Sequence, residues 1–147
     1  MSAAKQKGTA WETALVRSLS AFFAGRYGLA PRRVAQEGFA DSGDLHGISP
    51  FIGQAKNWKS WEAAIREGLD GAEKQRLNTG EPFAVALVKR ARKPVGGGYA
   101  VMTVATFARL LLRLRRAEHQ LRSASPTAWT DHVEQSAADL ASDFPRG

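Results

Sequence analysis

Residues 83–88 read FAVALV, six apolar residues in a row between Pro82 and the basic stretch that begins at Lys89. A run this short, with valines and a phenylalanine, has the length of a strand. A strand with no polar face is covered on both sides. Such strands belong to sheets with parallel pairs and helices packed on each face. This segment therefore asks the rest of the chain for helices above and below a central sheet.

The flanking sequence supplies them. Trp11, Leu15, Leu19 and Phe22 recur at helical spacing, and Val16 and Phe23 widen the stripe. The spacing predicts a helix from Thr9 to near Tyr27, stopped by Gly25 and Gly28, with residues 1–8 frayed. Pro31 breaks the chain, Arg33 to Glu37 can form a short strand, and Phe39 to Gly43 is loop-like. Asp44 to His46 and Phe51 to Lys56 read as two strands joined by the turn Gly47 to Pro50. Ser60 is a good N-cap for a helix running to about Leu77, with Trp61, Ile65, Leu69 and Ala72 as its apolar face. After FAVALV, Arg90, Arg92, Lys93 and the Gly96–Gly98 run predict a mobile basic hairpin loop, and YAVMTV (99–104) a returning strand. A third helix is expected over Thr106 to Arg122. The order α-β-β-β-α-β-β-α predicts an α/β/α sandwich around a central mixed five-stranded sheet.

Charge divides the chain. The total is +7, yet residues after Arg122 hold four acids and one arginine, a net of −3 that leaves +10 on residues 1–122. The expected organisation is one basic domain over 1–122 and an acidic, mobile tail over 123–147, with Ser123 to Pro126 as a linker and room for a weak short helix in 127–147. A domain this basic points to a polyanionic partner, because each neutralised phosphate releases counterions. With no cysteine and three scattered histidines, disulfides and thiolate metal sites are excluded and a structural zinc site is not expected. No signal-peptide core or membrane-length apolar run is present, so the expected location is the cytoplasm.

Within this frame one short stretch carries chemistry. Strand alternation puts Gln54 and Lys56 on one face of Phe51–Lys56, and the hairpin brings Asp44 beside Gln54. Hard oxygen ligands hold Mg²⁺, and a neighbouring lysine can orient a water or offset charge on a phosphate. One carboxylate is thin for a divalent ion. Glu12, on the apolar line 12, 16, 19, 23 of the first helix, is the candidate for a second. The same residue closes a capping box with Thr9, T-x-x-E, and the two readings compete for one carboxylate.

The stretches KQKGTAWE, DSGDLHG and QAK resemble the core of the PD-(D/E)XK nuclease superfamily, in particular Holliday junction resolvases of the archaeal type and their phage relatives. The resemblance covers residues 5–105. It implies a restriction-endonuclease-like core and a Mg²⁺- or Mn²⁺-dependent DNA endonuclease that leaves 5′-phosphate ends. It also implies a homodimer cutting two strands of a four-way junction, in DNA recombination and repair. The cytoplasm would be the host's if the source is a phage. Carried over, Glu12, Asp44 and Gln54 are metal ligands, Lys56 the catalytic lysine, and Ser42 a contact to the scissile phosphate. Gln54 stands where the family has an acid. It offers a carbonyl oxygen but no charge, which weakens metal affinity and leaves open a catalytically inactive DNA-binding descendant. Asp41 is close enough in sequence to add charge. Same-fold nucleases acting on flap, single-stranded or mismatched DNA are the other alternative.

Lys5, Lys7, Asn57, Lys59, Arg90, Arg92 and Lys93 are the candidate phosphate contacts, against the ordinary role of basic residues as solvated surface. Trp58 and Trp61 can stack on bases, though packing at the strand–helix junction is the more usual role of such residues. His46, two residues after Asp44, fits either proton transfer or a partly buried structural position. The YAVMTV strand and the leucine-rich third helix are the candidate dimer surfaces.

Overall fold

The computed structural model of the protein describes residues 2–34 and 43–146, with positions 43 and 44 described by backbone only. The elements are α1 (Ala3–Phe23), β1 (Arg32–Arg33), β2 (Gly43–Ile48), β3 (Phe51–Lys56), α2 (Trp61–Thr79), β4 (Phe83–Val88), β5 (Tyr99–Val101), α3 (Val104–Ala124) and α4 (Pro126–Ala141). The strands form one sheet in the order β1-β2-β3-β4-β5. Only β3 and β4 run parallel, joined by the crossover through α2; the other pairs are antiparallel. This is the expected mixed five-stranded α/β architecture. The chain divides into two compact units, residues 1–103 with 144–147, and residues 104–143.

In the first unit the sheet is covered on both faces. Trp11 and Leu15 of α1 pack on Ala55 and Leu87, and the Trp11 indole Nε1 donates to the Leu87 carbonyl at 3.0 Å. On the other face, Ala72 packs with Ile52 and Ala84, and Ala64 with Ala86 and Val88. Alanines on both sides let α2 lie close to the sheet. Phe83, Ala84, Val85, Ala86 and Val88 are all buried, so β4 has no polar face because neither face meets water.

Helix α1 begins earlier than its apolar stripe suggests. Ser2 is the N-cap, its hydroxyl accepting from the Lys5 N–H at 3.3 Å. Ala, Lys and Gln then extend the helix as good helix formers. Thr9 is therefore interior and its carbonyl accepts from Thr13 Oγ1 at 2.8 Å; the T-x-x-E capping box is not formed. Inside α1, Ser18 is fully buried and its hydroxyl has no hydrogen-bond partner among the described residues. Ser18→Ala removes that desolvated group at almost constant volume. It is expected to raise unfolding stability by about 1 kcal/mol in a urea titration, and a loss of stability would show that the hydroxyl has a partner after all.

The loop after β4 is packed. Residues Val95–Gly97 form a single 3-10 turn. A Cβ on Gly96 would stand 2.7 Å from Cδ1 of Phe144, and one on Gly98 3.2 Å from the Trp11 ring and 3.1 Å from the Val88 carbonyl. The glycines serve close approach, which the sequence alone cannot tell from mobility. The returning strand is also shorter than YAVMTV, because α3 starts at Val104.

The second unit is a helical pair. Ser125 caps α4 by accepting from Ala128 N–H at 3.2 Å, and Pro126 sits in the first turn, a position where the missing N–H does no harm. The Arg122 guanidinium lies 4.2 Å from the Trp129 ring centroid. Glu118 pairs with Arg115 at 3.1 Å and meets His132 Nε2 at 3.2 Å. The segment after Ser123, whose weak periodicity allows only a short helix over 127–147, contains a 16-residue helix. No helix among the described residues is long and apolar enough to cross a membrane.

Candidate active site and basic cleft

The two faces of β3 decide which predicted site residues meet. Gln54 and Lys56 point to the α2 face. A Cβ on Gly71 of α2 would lie 3.3 Å from Gln54 Oε1, and one on Gly68 3.0 Å from Lys56 Cγ. Each glycine lies inside a helix, where it costs about 1 kcal/mol relative to alanine. Here they open room for the two polar side chains of β3. Gln54 is 1% exposed. The Lys56 ammonium continues past the helix to stand 4.9 Å from the Trp58 ring centroid.

Gln54 and Lys56 line a pocket of about 340 Å³ together with Glu67, Gly71, Lys74, Gln75 and Asn78. Glu67 is the carboxylate that the sequence reading missed. Its signal was present: Glu67 precedes Gly68 and lies four residues before Gly71, so it shares the helix edge that the glycines bring down onto β3. In the antiparallel register Asp44 stands directly opposite Gln54. Asp41 and Ser42 lie outside the described residues, and so does the side chain of Asp44.

Glu12 is elsewhere. Its carboxylate takes the Arg33 Nε–H at 2.7 Å. Arg33 pairs in register with Leu45, and the Leu45 Cβ would lie 3.2 Å from a Cβ on Gly53. Gly53 alternates with Gln54, so Arg33 and Glu12 belong to the α1 face of the sheet. Glu12 thus lies on the opposite face of the sheet from the Gln54 side chain. The apolar line 12, 16, 19, 23 does face the protein, but it meets an arginine of β1. His46 is half-buried and pairs in register with Arg32.

The same strand end opens a second, larger concavity of about 700 Å³. It is bounded by one face of α1 (Lys7, Ala10, Trp11, Ala14), the segment after β3 (Asn57, Trp58, Lys59) and the segment after β4 (Lys89 and Ala91 to Val95), with Arg146. Asn57 Nδ2 donates to the Lys7 carbonyl at 3.1 Å, tying the first turns of α1 to the strand end. The ends of parallel strands are where α/β sheets usually bind ligands. Of the predicted phosphate contacts, Lys7, Asn57, Lys59, Arg92 and Lys93 line this cleft. Lys5 is exposed on the first turns of α1. Arg90 instead lies 5.1 Å from the Tyr99 ring centroid, and Tyr99 lies 6.2 Å from Trp61.

For a divalent cation the donor set is hard oxygen: the Gln54 amide and the Glu67 carboxylate in one pocket, with Asp44 opposite in register. That chemistry fits Mg²⁺ or Mn²⁺. Among the described residues no three His, Cys, Asp or Glu side chains gather, so the set depends on an amide and on Asp44. No family model, curated protein or solved structure matches this chain.

Proposed function

We propose that this chain is a metal-dependent DNA endonuclease of the PD-(D/E)XK type, with four-way junctions as its leading substrate. The observation that carries the reading is the pocket shared by Gln54, Lys56 and Glu67, with Asp44 across the register from Gln54. Asp44, Gln54 and Glu67 would hold the metal, with Glu67 supplying the negative charge that Gln54 lacks and Glu12 outside the set. Bound there, a divalent ion neutralises the phosphate and lowers the pKa of a water. Lys56 lines the same pocket as Gln54 and Glu67 and would orient the water or stabilise the phosphorane charge. Its stem is fixed by Gly68 and its ammonium by the Trp58 ring, so it is held in place before substrate arrives. Symmetric cutting of a junction calls for two copies. Val104, Phe107, Leu111 and Leu114, exposed at 3-4-3 spacing along α3, support that surface as the site of self-association.

Two observations favour the rival, a DNA-binding protein without catalysis. The carboxylate of the first helix is engaged by Arg33, and Gln54, two residues before Lys56, is neutral. Labelled four-way, flap and linear DNA incubated with Mg²⁺ or Mn²⁺ separates the two. Cutting that is lost by about a hundred-fold or more in Glu67→Gln and kept within a few-fold in Glu12→Gln supports the proposed site. Loss in Glu12→Gln with retention in Glu67→Gln reverses the assignment. Binding of every substrate with cutting of none leaves the rival standing.

A further inference from the structure

We propose that the cleft between α1 and the ends of β3 and β4 is a binding groove for single-stranded DNA, with Trp58 as the surface on which a base stacks. The inference rests on the DNA reading above for its ligand class and names the form of DNA that the cleft takes.

The first ground is charge. Lys7, Lys59, Lys89, Arg92, Lys93 and Arg146 line one concavity, and among the described residues no carboxylate lines it. None of the six is ion-paired to a described residue. Unpaired like charges drawn into a concave surface repel one another unless an anion joins them. Arg92, in addition, holds a left-handed backbone with φ +61°, a conformation that costs energy in a non-glycine residue and tends to occur at binding sites.

The second ground is the indole. Trp58 is 40% exposed at the cleft wall, whereas Trp11, on the floor, is 3% exposed. An exposed aromatic among unpaired cations is the arrangement by which single strands are held, bases on rings and phosphates on lysines. A duplex hides its base faces in the stack and would leave Trp58 unused. The concavity has a volume of about 700 Å³, within the range of sites that enclose a ligand.

The third ground is continuity. The Lys56 ammonium stands 4.9 Å from the centroid of the Trp58 ring, and Lys56 lines the other pocket. A strand stacked on Trp58 therefore has its neighbouring phosphate next to Lys56. The groove would hold an unpaired arm and lead the adjoining phosphodiester toward the carboxylate side of β3.

The test is binding without cleavage. Full-length protein in EDTA is titrated into fluorescein-labelled dT oligomers and blunt duplex of equal length, with tryptophan emission followed in parallel. The expected result is at least ten-fold tighter binding of the single strand, with indole quenching. Trp58→Ala should weaken single-strand binding five- to hundred-fold, and Trp58→Phe should restore most of it, which separates stacking from damage to the fold. The slope of log affinity against log salt should be near −4, about −0.7 for each of six phosphates. It should become shallower by about 0.7 in Lys59→Ala and in Lys93→Ala. Equal or tighter binding of duplex overturns the proposal, as does a Trp58→Ala effect below two-fold. Binding to anionic lipid vesicles but not to oligonucleotides would also overturn it. Junction cleavage with no preference for single strands would sink the groove and leave the nuclease reading intact. Single-strand preference with no cleavage would do the reverse.

Discussion

Lys56→Ala is expected to lower DNA cleavage by at least about a hundred-fold, the usual loss when a positioned charge or acid–base group is removed from a phosphoryl or acyl transfer site. Lys56 lines the pocket with Gln54 and Glu67 at the end of β3, and Lys74 is the second lysine there. The Lys56 stem lies against Gly68 and its charge over Trp58, so alanine also removes some packing, at a cost of about 1 kcal/mol. A urea titration alongside the cleavage assay keeps the two effects apart. Lys56→Arg should not rescue. The guanidinium is a wide planar fork and does not reproduce the compact point charge of an ammonium. Asp44→Ala should match the alanine variant of Lys56 if the register neighbour of Gln54 belongs to the same site. Cutting unchanged by both substitutions would move the chemistry elsewhere in the chain.

The largest effect on stability is expected at Trp11. It is buried to 3% and packs with Leu15, Ala55 and Leu87, and its indole N–H meets the Leu87 carbonyl at 3.0 Å. Trp11→Ala should cost about 3–5 kcal/mol, the range for deleting a buried aromatic side chain. Trp11→Phe keeps much of the apolar volume and loses the hydrogen bond, so it should cost about 1–2 kcal/mol. Denaturant unfolding measures both. A cost below about 1 kcal/mol for the alanine variant would mean that α1 is not anchored to the sheet through this residue. Because Trp11 is also the floor of the basic cleft, the alanine variant should lose DNA affinity together with stability, while the phenylalanine variant should keep affinity.

Much of the framework was legible along the chain. FAVALV was recognisable as a doubly covered strand because burial on both faces leaves no polar position in it. Phe51–Lys56 and the Ser60-capped helix were legible for the same kind of reason: period, cap and turn act within a few residues. The start of α1 was missed because residues 3–8 lack apolar periodicity, yet a serine cap and helix-forming side chains suffice to continue a helix that is anchored further on. The helix at 126–141 was legible only as a weak, short one, because its packing uses Trp129, His132 and Glu118.

The site shows where such reasoning stops. Alternation along β3 is a local property, and it correctly put Gln54 and Lys56 on one face. Which helix covers that face is not local. The apolar line through Glu12 said that this residue looks inward, and the structure agrees, but inward on the α1 side, where Arg33 meets it. Glu67 was unremarkable on paper, an exposed acid in an amphipathic helix, until Gly68 and Gly71 brought that helix edge down onto Gln54 and Lys56. The basic cleft is likewise assembled from residues 7, 57–59, 89–95 and 146. Composition determined that the protein would be strongly basic, and pattern determined its strands and most of its helices, since both depend on nearest neighbours and totals. The choice of partners across the sheet and the gathering of six cations in one cleft came from packing, because side chains distant in sequence meet only once the layers close.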